Sequence, residues 1–480
     1  MKHKLLVILL LTLAGTALMA QTNLQINGIN EAQMIYRNAE DSLNVYFKDS
    51  FAFNLAYRNF RFGMKFIGEL PKYSNQQTEL MQDLDPNRLE LGWKELYAGY
   101  SQDAFSLHAG TTSETFGQGL SFRSYEDVEF DTDHRMESFL IKYDSKLKFK
   151  TFYGGIESPS YADRWDLAYG ADAQYPVVKG IQLGASALGF RDLGAMNIYS
   201  FRDVFAGRLL LSKANLEAYT EYAVSKHYRK ADGVTEGSAI YANADYMFGP
   251  LQLGGAYKHY DNFSYRLQDL PLANYHAETL SDALASGIDE EGWQARALLN
   301  LGYAWSLSAD YAEAWDSPKD KQMNDLYVEV AYQGSQQYNL SFSHIEKIDE
   351  AISYWQKEYY PALTAAFEIA DLPLTLKGEF KTVEKQSLAK ESSYYEPKLQ
   401  ADFSVEKLSL SLGLSAHLED FSSLMESRYM PNIEAKYPLF SHSDILIFAG
   451  KEAGGKVCRN GVCRFMAPFE GVKAEFTTRF

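Results

Sequence analysis

The sequence predicts an all-β chain: an up-and-down antiparallel transmembrane β-barrel of about 24 strands (22 to 26), with short periplasmic turns and long external loops. Three observations predict it. Apolar and polar residues alternate in segments of about ten residues, up to the last residue of the chain. The connections between these segments alternate long and short, in phase along the chain. The one long apolar run lies at the N-terminus and has the form of a secretory signal.

That N-terminal stretch reads MKHKLLVILLLTLAGTALMA: two lysines, an apolar run from Leu5 to Leu13, then small residues up to Ala20. Residues 1–20 are therefore expected to be a signal peptide, with cleavage after Ala17 or Ala20. Residues 21–480 are expected to form a single outer-membrane barrel domain, without an N-terminal plug. Loss of Lys2 and Lys4 takes the net charge from −17 to −19, which argues against nucleic acid as a partner.

The strands begin at once. In LQINGINEAQMIY, Leu24, Ile26, Gly28, Ala32, Met34 and Tyr36 share one face, and Glu31 and Gln33 lie on the other. Spanning strands of a barrel are apolar only at every second residue, so 34 Tyr and 29 Phe suit a lipid-facing surface. Short turns are expected at Arg58–Asn59, Ser101–Ala104, Asp144–Lys146, Pro176–Lys179, Ser212–Lys213, Phe248–Pro250, Gly302–Ala304, Gly334–Ser335, Asp371–Pro373, Glu406–Lys407 and Pro438–His442. Long connections lie between them, notably 113–136, 261–291 and 453–468. A soluble sandwich has no reason to keep long and short connections in phase.

With apolar residues facing lipid, the opposite faces line the interior. Candidates there are Glu31, Lys94, Asp172, Glu217, Glu221, Arg296, Asp310, Lys377, Glu379 and Arg479. Acids and bases nearly balance, which suits a water-filled channel or a wall braced by cross-strand ion pairs better than a filter ringed by one sign. The last segment, EGVKAEFTTRF, places Phe476 and Phe480 on its apolar face. An aromatic terminal strand of this kind resembles the signal read by the outer-membrane barrel-assembly machinery, an expected partner. Outer-membrane lipids and lipopolysaccharide are the expected surroundings.

One of the longest connections, and an unusual one, is ETFGQGLSFRSYEDVEFDTDHRMES. Phe116, Gly117, Gly119, Arg123, Glu126, Asp127, Asp131, Asp133 and Arg135 make it a candidate constriction loop, since apolar residues argue against a purely solvated tip. An ordered structural loop, a pore constriction and an ion site all fit this composition. The only two cysteines flank an Asn-Gly in KVCRNGVCR. Asn460-Gly461 is a two-residue hairpin signal, which sets Arg459 opposite Val462 and Cys458 opposite Cys463. The cysteines then occupy a non-hydrogen-bonded pair, whose Cα separation of about 4.5 Å is within disulfide range. A disulfide-clipped external hairpin is expected.

FGQGLSFRSYED and the terminal GGKVCRNGVCRFMAPFEGV…F resemble a family of uncharacterised outer-membrane β-barrel proteins of Bacteroidetes and related diderm bacteria. The resemblance implies a fold and an outer-membrane location, with both termini periplasmic. It brings no substrate or catalytic residue. No cofactor is implied, and no G-x-S-x-G, H-E-x-x-H or P-loop occurs to point to an enzyme. No serine with an acid partner stands out beside His259, His344 or His417. The leading expectation is a porin-like channel for small solutes. The alternative is a scaffold barrel that binds an unknown protein partner through its external loops and conducts little or nothing.

Overall fold

The computed structural model describes residues 24–38, 44–72, 89–127, 132–158, 164–192, 200–229, 233–281, 287–387, 390–420, 428–459 and 462–480. Twenty-four strands form one antiparallel sheet. Each strand pairs with its neighbour in the chain. The first, Leu24–Arg37, also pairs with the last, Phe469–Arg479, in the register Ile29↔Arg479 to Arg37↔Gly471. That seam closes the sheet into a barrel and leaves no edge strand exposed.

Alternation follows from closure. Along Leu216–Arg229, Tyr219, Glu221, Ala223 and Ser225 are buried, while Tyr222 and Val224 face outward and are exposed. Outward aromatic residues collect near both ends. Trp305 and Tyr332 pack beside the short turns with ring centroids 4.9 Å apart. Phe201 and Tyr228 stack at 4.4 Å beside the long connections. Exposed Leu209, Leu253 and Leu307 lie in the band between. Two aromatic girdles around an aliphatic band are how a barrel meets the two interfaces of a bilayer.

The short connections fall at one end of the barrel. Turns at Arg58–Asn59, Asp103–Ala104, Ala214–Asn215, Gly249–Pro250 and Glu406–Lys407 join strands directly. One departure from strict alternation occurs in Glu90–Gln102. The pairing passes from Lys65↔Glu95 to Phe66↔Trp93, so Lys94 is the extra residue of a β-bulge. Trp93 and Leu96 both stay outward across it.

Candidate functional site inside the barrel

The interior carries more apolar surface than a water-filled wall needs. Leu140, Phe152, Ile156, Ala168, Leu188 and Val204 all point inward and are buried. What covers them is the connection between Phe105–Thr112 and Met136–Asp144. It forms a small hairpin, Glu114–Phe116 against Phe122–Ser124, whose Phe116, Leu120 and Phe122 are fully buried. Phe122 stacks on Phe152 with centroids 4.5 Å apart.

The hairpin reaches deep. Gly117 turns with φ +54° and Gly119 with φ +95°, a region that favours glycine. A Cβ on Gly117 would sit 2.5 Å from both the Tyr219 hydroxyl and a Glu221 carboxylate oxygen, so only a bare backbone can approach the wall here. The Gln118 N–H donates to Tyr219 Oη (3.2 Å), and Ser121 Oγ donates to Glu221 (3.3 Å). Tyr219 lies three residues from the short-turn end of its strand, roughly 10 Å in, and ten residues from the other end, Arg229. The loop therefore passes well beyond mid-depth.

A second connection, between Leu251–Asp261 and Asp289–Leu301, packs on the first. Phe263, Leu267, Leu270 and Ala273 join the same apolar cluster. Tyr265 donates to the Ser121 carbonyl (2.5 Å), Arg123 N–H to the Leu267 carbonyl (3.0 Å), and Asp269 N–H to the Gly119 carbonyl (3.1 Å). The Arg123 guanidinium is ion-paired with Asp269. Burial pushes the Tyr265 phenol well above its ordinary range, against the pull of Arg202, so it stays a donor.

The second loop is also pinned to the wall. Lys347 holds Glu278 (2.6 Å), and Tyr275 stacks on Tyr327 at 3.6 Å. His276 Nδ1 is 2.7 Å from Asp325, and its Nε2 is 3.0 Å from Ser343 Oγ. Asp, His and Ser stand here in the order of a hydrolase relay. Ser343, however, is in mid-strand with ladders on both sides, to Tyr327 and to Tyr360. Its backbone N–H is committed to the sheet and unavailable as an oxyanion donor. The cluster serves as a latch between loop and wall.

Charges fasten the root of the first loop. Glu114 is clamped by Lys142 and by Lys150 (2.8 Å). Burial works to raise its pKa, but the two lysines prevail and hold it below the usual carboxylate range. Arg135 gathers Asp133 (2.7 Å), Glu95 (3.2 Å) and Glu126 (3.2 Å). The described acids of this loop thus turn onto Arg135, while Asp127 pairs through its backbone with Thr132 and Asp131 lies outside the described residues.

The opposite sector of the lumen holds a cavity of about 1280 Å³, walled by Tyr354–Ile369, Leu372–Ser387, Lys390–Val405 and Leu408–His417. Three charge pairs line it: Lys381 with Glu358 (3.4 Å), Lys398 with Glu379 (3.4 Å), and His417 with Glu396 (3.1 Å). Lys385 lies over the Tyr394 ring at 5.3 Å.

Elsewhere the inward charges brace neighbouring strands. Asp172 binds Arg208 (2.5 Å) and Ser186 (2.7 Å), and Arg296 binds Asp245 (2.5 Å). Asp310 accepts from Gln294 (2.8 Å), Lys377 meets Asp402 (2.9 Å), and Arg479 meets Asp444 (2.7 Å). Glu31 and Glu217 share the inward faces of Ile35 and Tyr219. Asp269, Tyr265, His276, Asp325 and Ser343 carry no motif. Their signal in the sequence is indirect: strands such as KFKTFYGGIE are apolar on both faces, which requires something inside to cover them.

At the loop end, Gly455–Arg459 pairs with Val462–Met466 in the register Cys458↔Cys463 and Arg459↔Val462. Asn460 and Gly461 lie outside the described residues, as do the side chains of this hairpin. At the seam, Phe480 and Gly28 exchange backbone hydrogen bonds of 2.8 and 3.1 Å, and the Phe480 ring stacks near Phe51 at 6.0 Å. Phe476 lies four rungs further along the same strand, opposite Ala32.

A family model described as "Family of unknown function (DUF6029)" matches residues 1–286, more than half of the chain. The chain belongs to that family. No curated protein matches it. Among solved structures, this DUF6029 chain is similar to a chain of the E. coli P pilus tip assembly intermediate PapC-PapD-PapK-PapG, with a TM-score of 0.60 at 9% identity. The match covers 95% of this chain and 60% of that one. It is also similar to the copper transporter OprC, with a TM-score of 0.50, 8% identity, and coverage of 95% and 80%. At such identities the likeness shows the fold alone, which is that of large outer-membrane β-barrels.

Proposed function

We propose that this DUF6029 protein is an outer-membrane channel for small polar solutes, in which two inward loops fill one sector of the lumen and passage runs through the other. In this reading the long loops are external and both termini periplasmic. The observation that carries it is the division of the interior: an apolar plug against Leu140–Val204, beside a cavity of about 1280 Å³ lined by paired charges and tyrosines. A wall of balanced sign suits uncharged or weakly charged solutes better than strong ion selection.

Single-channel recording of the purified barrel in a planar bilayer tests this. Stable conductance steps are expected, and they should grow when the first loop, residues 113–135, is shortened. A barrel that is folded by heat-shifted gel mobility but silent, with or without the loop, overturns the channel and favours a scaffold.

A further inference from the structure

Fully buried charge is tolerated when it is paired, and among the described residues the buried lysines and arginines of the interior observe this with one exception. Arg208 is buried on Asp172, Lys258 on Glu290, and Lys347 on Glu278. Arg202, only 7% exposed, has no carboxylate within ion-pair distance among the described residues. Its Nη1 donates to Ser225 Oγ (3.3 Å), its Nη2 to His227 Nδ1 (3.0 Å), and its guanidinium lies 5.2 Å from the Tyr265 ring centroid. A guanidinium has five N–H donors, so three remain beyond these two bonds.

The surroundings are those of a receptor for negative charge. Because Arg202 can only donate, His227 Nδ1 must accept, and a neutral imidazole then carries its proton on Nε2. That nitrogen is 2.6 Å from Ser200 Oγ and 3.4 Å from Arg229 Nε, so the hydroxyl and both guanidinium groups converge on one imidazole. Arg229 adds a second positive charge there. Ser200 and Arg202 are the first and third residues of Ser200–Lys213, and His227 is third from the end of Leu216–Arg229. The cluster thus sits at the loop end of the barrel, with Ser200 and His227 half-exposed.

We infer that Arg202, Ser200, His227 and Arg229 form a binding site for a small oxyanion of the phosphate class, which supplies the counter-charge the wall lacks. Arginine presents a planar fork suited to two oxygens of such a group, and the serine hydroxyl supplies a third contact. Arg202 shares the inward face of Val204, Ala206 and Arg208. The ligand is therefore a free solute entering the mouth, since lipid phosphates meet only the outer face. Tyr265 belongs to the second inner loop, so the anion binds against the plug. This inference deepens the channel reading and rests on it for the direction of entry.

The test is calorimetric titration of inorganic phosphate into the purified full-length barrel, with sodium chloride as the control for screening. Saturable binding at one site is expected in the wild type. Arg202→Gln should weaken it at least tenfold, and Arg202→Lys, which keeps the charge without the fork, should fall between. Lys407→Gln, in the short Glu406–Lys407 turn at the other end of the barrel, should change nothing, and heat-shifted mobility verifies that each variant is folded. Absence of saturable binding, or equal binding by Arg202→Gln, overturns the site. Lipopolysaccharide that binds the wild type and Arg202→Gln equally, while phosphate does not bind, assigns the anion affinity to the outer surface and also overturns it. Binding without conductance would overturn the channel and leave the site standing, whereas conductance without binding does the reverse.

Discussion

Arg123 and Asp269 are joined by an ion pair across two loops that are 146 residues apart in sequence, inside the barrel. The two inner loops are therefore one unit, and either one alone would leave a buried partner. Asp269 is nearly buried and Arg123 about one-third exposed, so losing the arginine is the costlier change, because it leaves the buried carboxylate unpaired. Arg123→Ala is expected to cost about 1–3 kcal/mol of loop anchorage, because it orphans the aspartate. The double variant with Asp269→Ala should recover part of that. Open-state conductance and limited proteolysis of residues 113–135 measure it, and strictly additive effects would show that the pair is not coupled.

Phe122→Ala removes the ring stacked on Phe152 and opens a hole in the plug. Large-to-small changes of this kind cost about 3–5 kcal/mol. The wall strands keep their ladders, so the loss is expected to be local: faster cleavage within the loop, larger conductance, and unchanged heat-shifted mobility. A variant that loses the barrel itself would contradict the separation of plug and wall.

Acid should release the root of the first loop. The folded pKa of Glu114 is depressed by Lys142 and Lys150, against the effect of burial. Its contribution is therefore fully present above the unfolded value of about 4.3 and is lost as pH falls through the lower, folded one. Between pH 7 and about 5 nothing should change, and below about 4 the hairpin should become cleavable. Glu114→Gln should mimic the acid state at neutral pH. A transition near pH 6 would point to another group.

The hairpin register sets Cys458 opposite Cys463, and we predict a disulfide between them. Intact-mass analysis without reductant should give a chain lighter by two hydrogens that resists alkylation. Because the closed loop is short, reduction should cost no more than about 2 kcal/mol, confined to that hairpin. Free alkylation of both thiols in protein purified under air would refute the clip.

The wall was legible in the sequence because a strand with lipid on one side repeats every two residues. Most turn positions followed because a short connection must interrupt that repeat, although the turn expected at Ser212–Lys213 falls two residues on, at Ala214–Asn215. Lys94 shows where the rule slips: a bulge adds a residue that alternation cannot count. The plug was only half legible. Phe116, Leu120 and Phe122 announced a loop that avoids water, but their partners Leu267, Asp269 and Tyr265 lie more than 140 residues away, joined by packing that has no period. Arg202 was hidden for the opposite reason, since its peculiarity is a missing neighbour.

The seam has a consequence for biogenesis. Ile29 and Arg479 are 450 positions apart, yet they face each other across one rung of the ladder. Until the last strand arrives, every earlier strand belongs to an open ribbon with two adhesive borders. Synthesis halted anywhere upstream would yield no smaller functional ring, only a sheet whose rims must be shielded by chaperones or destroyed by proteases. Closure thus depends on the two ends of the sheet meeting, and the Phe480–Gly28 backbone pair lies at that seam.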